Sequence, residues 1–187
     1  IIAAMLDQRI QQHFIDSADL HYQVAEALAK KGITAFVLKY RLFPTAEKLE
    51  DFTAWMNRPR PAPAPANSKT DSAAKNTNPM AQMDLSNQLE DAEAAYAMII
   101  KNAATWGLDT KRIGMIGFSA GAGLTMHATL HSKTMKLAFI GPIYGGMGPV
   151  NVPADAPPMF NVIASDDFLF NSQFGVIDSW FKAKRPV

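Results

Sequence analysis

The sequence predicts an α/β fold, a mostly parallel sheet covered by helices on both faces. Short β-rich apolar runs alternate along the chain with longer segments of helical period. The runs are almost continuously apolar, as strands buried on both faces must be. At one junction of run and helix a serine stands between two glycines, Gly117-Phe118-Ser119-Ala120-Gly121, the composition of a tight strand-to-helix turn.

The elements follow in order. Ser17 is the expected N-cap of a first helix, with Leu20, Val24, Ala25 and Leu28 at helical spacing and Gly32 closing it. Ile33 to Tyr40, "ITAFVLKY", reads as a buried strand. From Arg41 to about Met83 the pattern dissolves. "DFTAWMN" suits a short helix there, but the Pro/Ala alternation from Arg58 to Lys69 allows neither helix nor ladder strand. Residues 44–83 are therefore expected to form a flexible insertion, either a plain surface loop or a mobile lid.

Periodicity resumes at Leu85. Leu89, Ala92, Ala95, Tyr96, Ile99 and Ile100 share a face, and Gly107 ends the helix. "RIGMIGF" is the next strand, followed by a helix to about Leu130. "KLAFIGPIYG" is a strand ended by Pro142 and Gly145, and Pro158 to Ser165 is another. A last helix covers about Ser172 to Ala183, with Phe174, Ile177, Trp180 and Phe181 apolar.

Length and composition suit a single domain, 1–187, with 48% apolar and 19% charged residues. A net charge of +1 with no basic face argues against a nucleic-acid partner. No apolar run reaches the roughly 20 residues of a membrane span. Cysteine is absent, which removes disulfides, thiolate chemistry and Cys-based metal sites. The compartment, cytoplasmic or secreted, and the oligomeric state stay open. The chain begins "IIAAML" and ends "KAKRPV". Both ends read as cuts through a domain, so a partial one is expected.

Composition alone makes a G-x-S-x-G match cheap. The strand before Ser119 and the small-residue helix after it give the match weight. A sharp turn lifts the serine Oγ clear of the backbone and leaves no room for side chains at Gly117 and Gly121. The Ala120 N–H then faces a developing oxyanion, helped by the helix N-terminus. A close-packed or phosphate-binding turn is the competing reading. A P-loop needs lysine after its last glycine, whereas Leu124 follows Gly123.

"GITAFVLKYRLFP", "WGLDTKRIGMIGFSAGAGL" and "APPMFNVIASDDFLF" together resemble the α/β-hydrolase esterases. The likeness is to the branch containing acetyl-xylan and feruloyl esterases and the hormone-sensitive-lipase-like enzymes. It covers about Ser17 to Val187, apart from the insertion. It implies an α/β-hydrolase fold, incomplete at both ends, with the elbow after the fifth strand, the acid after the seventh and the histidine after the eighth. Asp167 matches the acid position and Asp166 is its neighbour; the competing role for both is a turn or a helix cap.

The four histidines, His13, His21, His127 and His131, all precede that acid, whereas the α/β-hydrolase order is Ser, Asp, His. His127 and His131 lie about 12 and 18 Å along the helix from Ser119, beyond the reach of a base. They are expected to be exposed or half-buried helix residues, and His13 and His21 to lie at the surface or the substrate edge. The resemblance places the triad histidine beyond Val187 and makes "IIA" the tail of a third strand. It also leaves Pro158–Ser165 as an unpaired edge. Relatives carry a glycine-rich oxyanion loop after that third strand. Here the matching stretch lacks glycine, with Met5 and Leu6 nearest.

The function so implied is hydrolysis of a carboxylic ester through an acyl-enzyme on Ser119. The expected substrate is a small-molecule or carbohydrate ester. No metal or organic cofactor is implied, since nucleophile, base and oxyanion hole suffice for acyl transfer. The alternatives are a non-catalytic binding protein of the same fold, and a peptidase.

Overall fold

A computed structural model describes residues 2–5, 15–42, 48–56 and 84–187. Most of the predicted insertion, together with Leu6 and His13, lies outside the described residues. The elements are β1 Ile2–Met5, α1 Ile15–Ala29, β2 Phe36–Lys39, α2 Leu49–Met56, α3 Ser86–Trp106, β3 Met115–Phe118, α4 Ala120–His131, β4 Ile140–Ile143 and α5 Phe170–Lys182. The strands form one parallel sheet in the order β2-β1-β3-β4.

Local signals set the helix ends. Gly32 (φ 76°) and Gly107 (φ 66°) both take the left-handed conformation that stops a helix. After α1, the Ile33 N–H bonds back to the Leu28 carbonyl at 3.0 Å. After α3, the Leu108 N–H reaches Ala103 at 2.8 Å. Ser17 is not the N-cap of α1: the helix starts at Ile15 and takes Ser17 into its first turn. A single capping residue does not decide a boundary to better than a residue or two.

Two apolar clusters form the core. One joins Tyr40 after β2, Ala92, Tyr96 and Ile99 of α3, Met115 of β3, and Leu124 and Ala128 of α4. The other joins Met126 of α4, Ile140 of β4, and Val176 and Trp180 of α5, with Met147, Ala156 and Met159. Helix α4 belongs to both, which is why it must be made of small and apolar residues. On α3, Ile100 departs from the expected buried face and is exposed, as Tyr96 and Ile99 point the stripe elsewhere. The buried stripe of α5 is Gln173, Val176 and Trp180. Phe174 and Phe181 stand exposed beside it. The Trp180 indole N–H bonds the Pro157 carbonyl at 3.0 Å, so full burial leaves no donor unpaired.

Pro142 does not end the fourth strand. It sits within it, buried, and its effect falls on the neighbouring segment. Ile140 N–H donates to Pro158 (2.9 Å) and Tyr144 N–H to Val162 (2.7 Å). The residue between them on that edge is Pro142, which has no N–H to give. The expected strand Pro158–Ser165 therefore appears as two isolated bridges, Ile140 to Met159 and Ile143 to Val162. Its outer side is not wholly unpaired either, because the Met159 N–H donates to the Pro186 carbonyl at 3.0 Å.

Candidate active site

The site is built where the strands end. Gly117 is the last small residue of β3 before the turn. A Cβ there would lie 2.0 Å from the Gly121 carbonyl oxygen and 2.5 Å from Thr125 Oγ1, so only glycine lets α4 fold back this closely. The Thr125 hydroxyl bonds the same Gly121 carbonyl at 2.9 Å, which pins the first turn of α4 against the strand.

Ser119 occupies the corner with φ 51° and ψ −115°, a conformation that costs a non-glycine residue of order 1–3 kcal/mol. Its amide is held by the Ile143 carbonyl at 3.0 Å, and its carbonyl accepts from Ala122 (3.0 Å) and Gly123 (3.3 Å). Serine at a helix N-cap usually spends its hydroxyl on the first-turn amides. Here the side chain makes no such bond, and the residue is exposed. Ala120 opens α4, so its N–H has no carbonyl one turn back within the helix.

Met5 closes β1. Ala4 pairs with Gly117 of β3, so Met5 reaches the same sheet end as Ser119. Tyr144 follows β4 there, with a second positive φ, 39°. Gly145 then passes so close to α4 that a Cβ would come 2.6 Å from the Ala122 Cβ. Two non-glycine residues at positive φ thus stand side by side, Ser119 and the residue after its amide's acceptor.

Phe118 contacts two rings. His21 meets it edge-on at 5.2 Å and 88°, and Tyr144 lies 5.9 Å away at 50°. His21 is buried, not at the surface or substrate edge as the sequence suggests. Its burial is made by the tertiary meeting of α1 with β3, which no local pattern in α1 announces. Burial also pushes the Tyr144 phenol above its usual value. His127 is half-buried and His131 exposed, as expected. Burial, followed by the neighbouring His131, holds His127 below the ordinary imidazole value despite the opposing pull of Asp84.

Asp167 lies beyond the Val162 bridge, half-buried, and Asp166 is exposed. The Asp167 Oδ1 accepts the Leu169 N–H at 2.8 Å, and its carbonyl accepts the Phe170 N–H at 2.9 Å. It thus organises the turn into α5. Gln173 is a site residue that no sequence pattern announces. Its amide, buried on α5, donates to the Gly145 carbonyl and accepts from Asn161 Nδ2 at 2.9 Å. One side chain ties together three segments around the strand ends. Among the described residues no cluster of three or more His, Cys, Asp or Glu is arranged to hold a metal, and no helix is long and apolar enough to cross a membrane.

Residues 73–139, the stretch with α3, the elbow and α4, match the BD-FAE family model. No curated protein matches the chain in sequence. Solved structures do match in three dimensions. MGS-M1, an alpha/beta hydrolase enzyme from a Medee basin deep-sea metagenome library, aligns at TM-score 0.68 and 19% identity over 100% of this chain and 64% of its own. The sugar hydrolase YeeB from Lactococcus lactis aligns at 0.63 and 16%, over 99% of this chain and 70% of its own. The carboxylesterase Cest-2923 from Lactobacillus plantarum aligns at 0.55 and 13%, over 99% and 68%. The chain thus spans about two thirds of the length of these proteins. The parallel sheet, the strand-to-helix corner at Ser119 and these alignments agree: the chain has the α/β-hydrolase fold.

Proposed function

We propose that this chain carries part of a serine hydrolase that cleaves carboxylic esters through an acyl-enzyme on Ser119. The observation that supports it most is the corner itself. Ser119 sits at φ 51° with its amide tied to Ile143 and its hydroxyl unspent on capping. Strain of that kind persists where the surroundings enforce it, and it gathers at reacting groups. In this reading Ser119 Oγ attacks the ester carbonyl. The Ala120 N–H stabilises the oxyanion, with Met5 at the neighbouring strand end, or Leu6 after it in the sequence, as the second donor.

Asp167 would orient the imidazole and stabilise its charged form. The base is neither His127 nor His131, which helix geometry holds about 12 and 18 Å along α4. The reading assigns it to a residue outside these 187. The similarity to a carboxylesterase and a sugar hydrolase suits a small or carbohydrate ester as substrate.

The Asp167–Leu169 turn bond favours a second reading, a binding protein of the same fold in which Asp167 only shapes a loop. Labelling with a fluorophosphonate, followed by peptide mass analysis, separates the two. The hydrolase reading expects an adduct on Ser119, however slow, that is absent in Ser119→Ala. No adduct at high probe concentration, even with added imidazole to stand in for the base, selects the binding protein. These residues alone are expected to turn over p-nitrophenyl acetate little or not at all. Clear turnover lost in Ser119→Ala would overturn the assignment of the base while keeping the nucleophile.

A further inference from the structure

Away from the elbow, the far end of α4 brings two imidazoles together. His127 and His131 are four residues apart on one helix, and their ring centroids lie 4.5 Å apart with the planes tilted by 46°. From this geometry we infer a binding site for a divalent late-transition-metal cation, with His127 and His131 as a two-imidazole chelate.

Histidines at i and i+4 share a helix face and suit a single ion, a spacing used by helical zinc sites. Two imidazoles bound tetrahedrally at metal–nitrogen distances of about 2.0–2.1 Å carry their ring centroids roughly 5 Å apart. The observed 4.5 Å needs only a small rotation of either ring. The 46° between the planes excludes face-to-face stacking of the two rings. Among the described residues, no hydrogen bond engages either ring, so the ring nitrogens are uncommitted.

His131 is exposed and His127 half-buried. An ion can therefore approach from solvent while one ligand is already held in place by packing. Asp84, two residues before α3, is close enough to interact electrostatically with His127 and adds negative potential beside the site. Among the described residues no third His, Cys, Asp or Glu completes the set, so the chelate proposed is the two imidazoles alone. The ligand type selects Cu²⁺, Ni²⁺ or Zn²⁺ over Mg²⁺ or Ca²⁺.

Calorimetric titration of the full 187-residue chain with Ni²⁺ tests this, beside His127→Gln, His131→Gln and His13→Gln. The site expects one ion per chain, with affinity falling tenfold or more in each of the first two variants and unchanged in the third. Mg²⁺ should give no heat. Retained affinity in either His127→Gln or His131→Gln overturns the chelate, as does an absence of binding at millimolar Ni²⁺. A second readout needs no variant. Ni²⁺ should protect His127 and His131 together from diethyl pyrocarbonate, read by peptide mass. Unprotected modification of both at saturating Ni²⁺ overturns the site.

Discussion

The amide of Ser119 donates to the carbonyl of Ile143 at 3.0 Å. That bond fastens the corner of β3 to the end of β4 and holds Ser119 in a conformation it would not choose alone. The corner thus rests on two supports, this bond and the missing Cβ at Gly117.

The first prediction concerns those supports. Gly117→Ala places a methyl 2.0 Å from the Gly121 oxygen, and the backbone has to move. The expected cost is at least about 1–3 kcal/mol, read as a lower urea midpoint. Ser119→Gly does the opposite, relieving a positive φ for a gain of roughly 1 kcal/mol. A Ser119→Gly variant no more stable than the parent would show that the corner stores no strain.

Tyr40 provides a second test. Its hydroxyl is buried and, among the described residues, has no hydrogen-bond partner. Burial pushes the phenol up to about 12. Removing an unpaired buried polar group while keeping the ring should stabilise the fold, so Tyr40→Phe is expected to gain about 1 kcal/mol. A destabilised variant would reveal a partner for the hydroxyl.

Gln173 predicts the reverse. Gln173→Leu strands the Gly145 carbonyl and the Asn161 amide together. A loss of about 1–3 kcal/mol is expected for leaving such groups unpaired, measured by thermal unfolding. The accompanying sign would be faster proteolysis between 145 and 170.

The fourth prediction is a pH dependence. Arg41 leaves β2 and grips α3: its backbone amide reaches Asp91 Oδ2 at 2.7 Å and its Nε reaches Oδ1 at 2.9 Å. Burial tends to raise the Asp91 carboxyl, but the hydrogen bonds and charge of Arg41 outweigh it and hold the group below the usual carboxylate range. A depressed carboxylate stabilises the fold above its unfolded value and loses that contribution as pH falls through its folded value. The melting-temperature gap between parent and Asp91→Asn should therefore be widest near neutral pH and close as pH falls below the usual carboxylate range. A gap independent of pH would place the effect in packing, not charge.

What the sequence reveals is what local chemistry decides. Gly32, Gly107 and the Ser119 corner were legible because each answers to its own few neighbours: a left-handed stop, or a turn too tight for side chains. The burial of His21 was not, because it is created by Phe118, nearly a hundred residues away. The outcome for Pro158–Ser165 was hidden for the same reason. Its apolar pattern is that of a strand, and what prevents continuous pairing is a proline in a different strand. Gln173 carries no signal at all, since a polar residue on an apolar helix face looks like an error until its partners are in view.

Pro142 has a mechanical consequence. Up to β4 the sheet is joined rung by rung, while the segment beyond it is tacked at only two points. The half of the proposed site that bears Ser119 is thereby stiff, and the half that bears Asp167 is compliant. Amide hydrogen exchange should divide along that line, slow through Met115–Phe118 and fast around 163–166. A loop hung in this way can settle around whatever packs against it while the nucleophile's corner stays where the sheet put it.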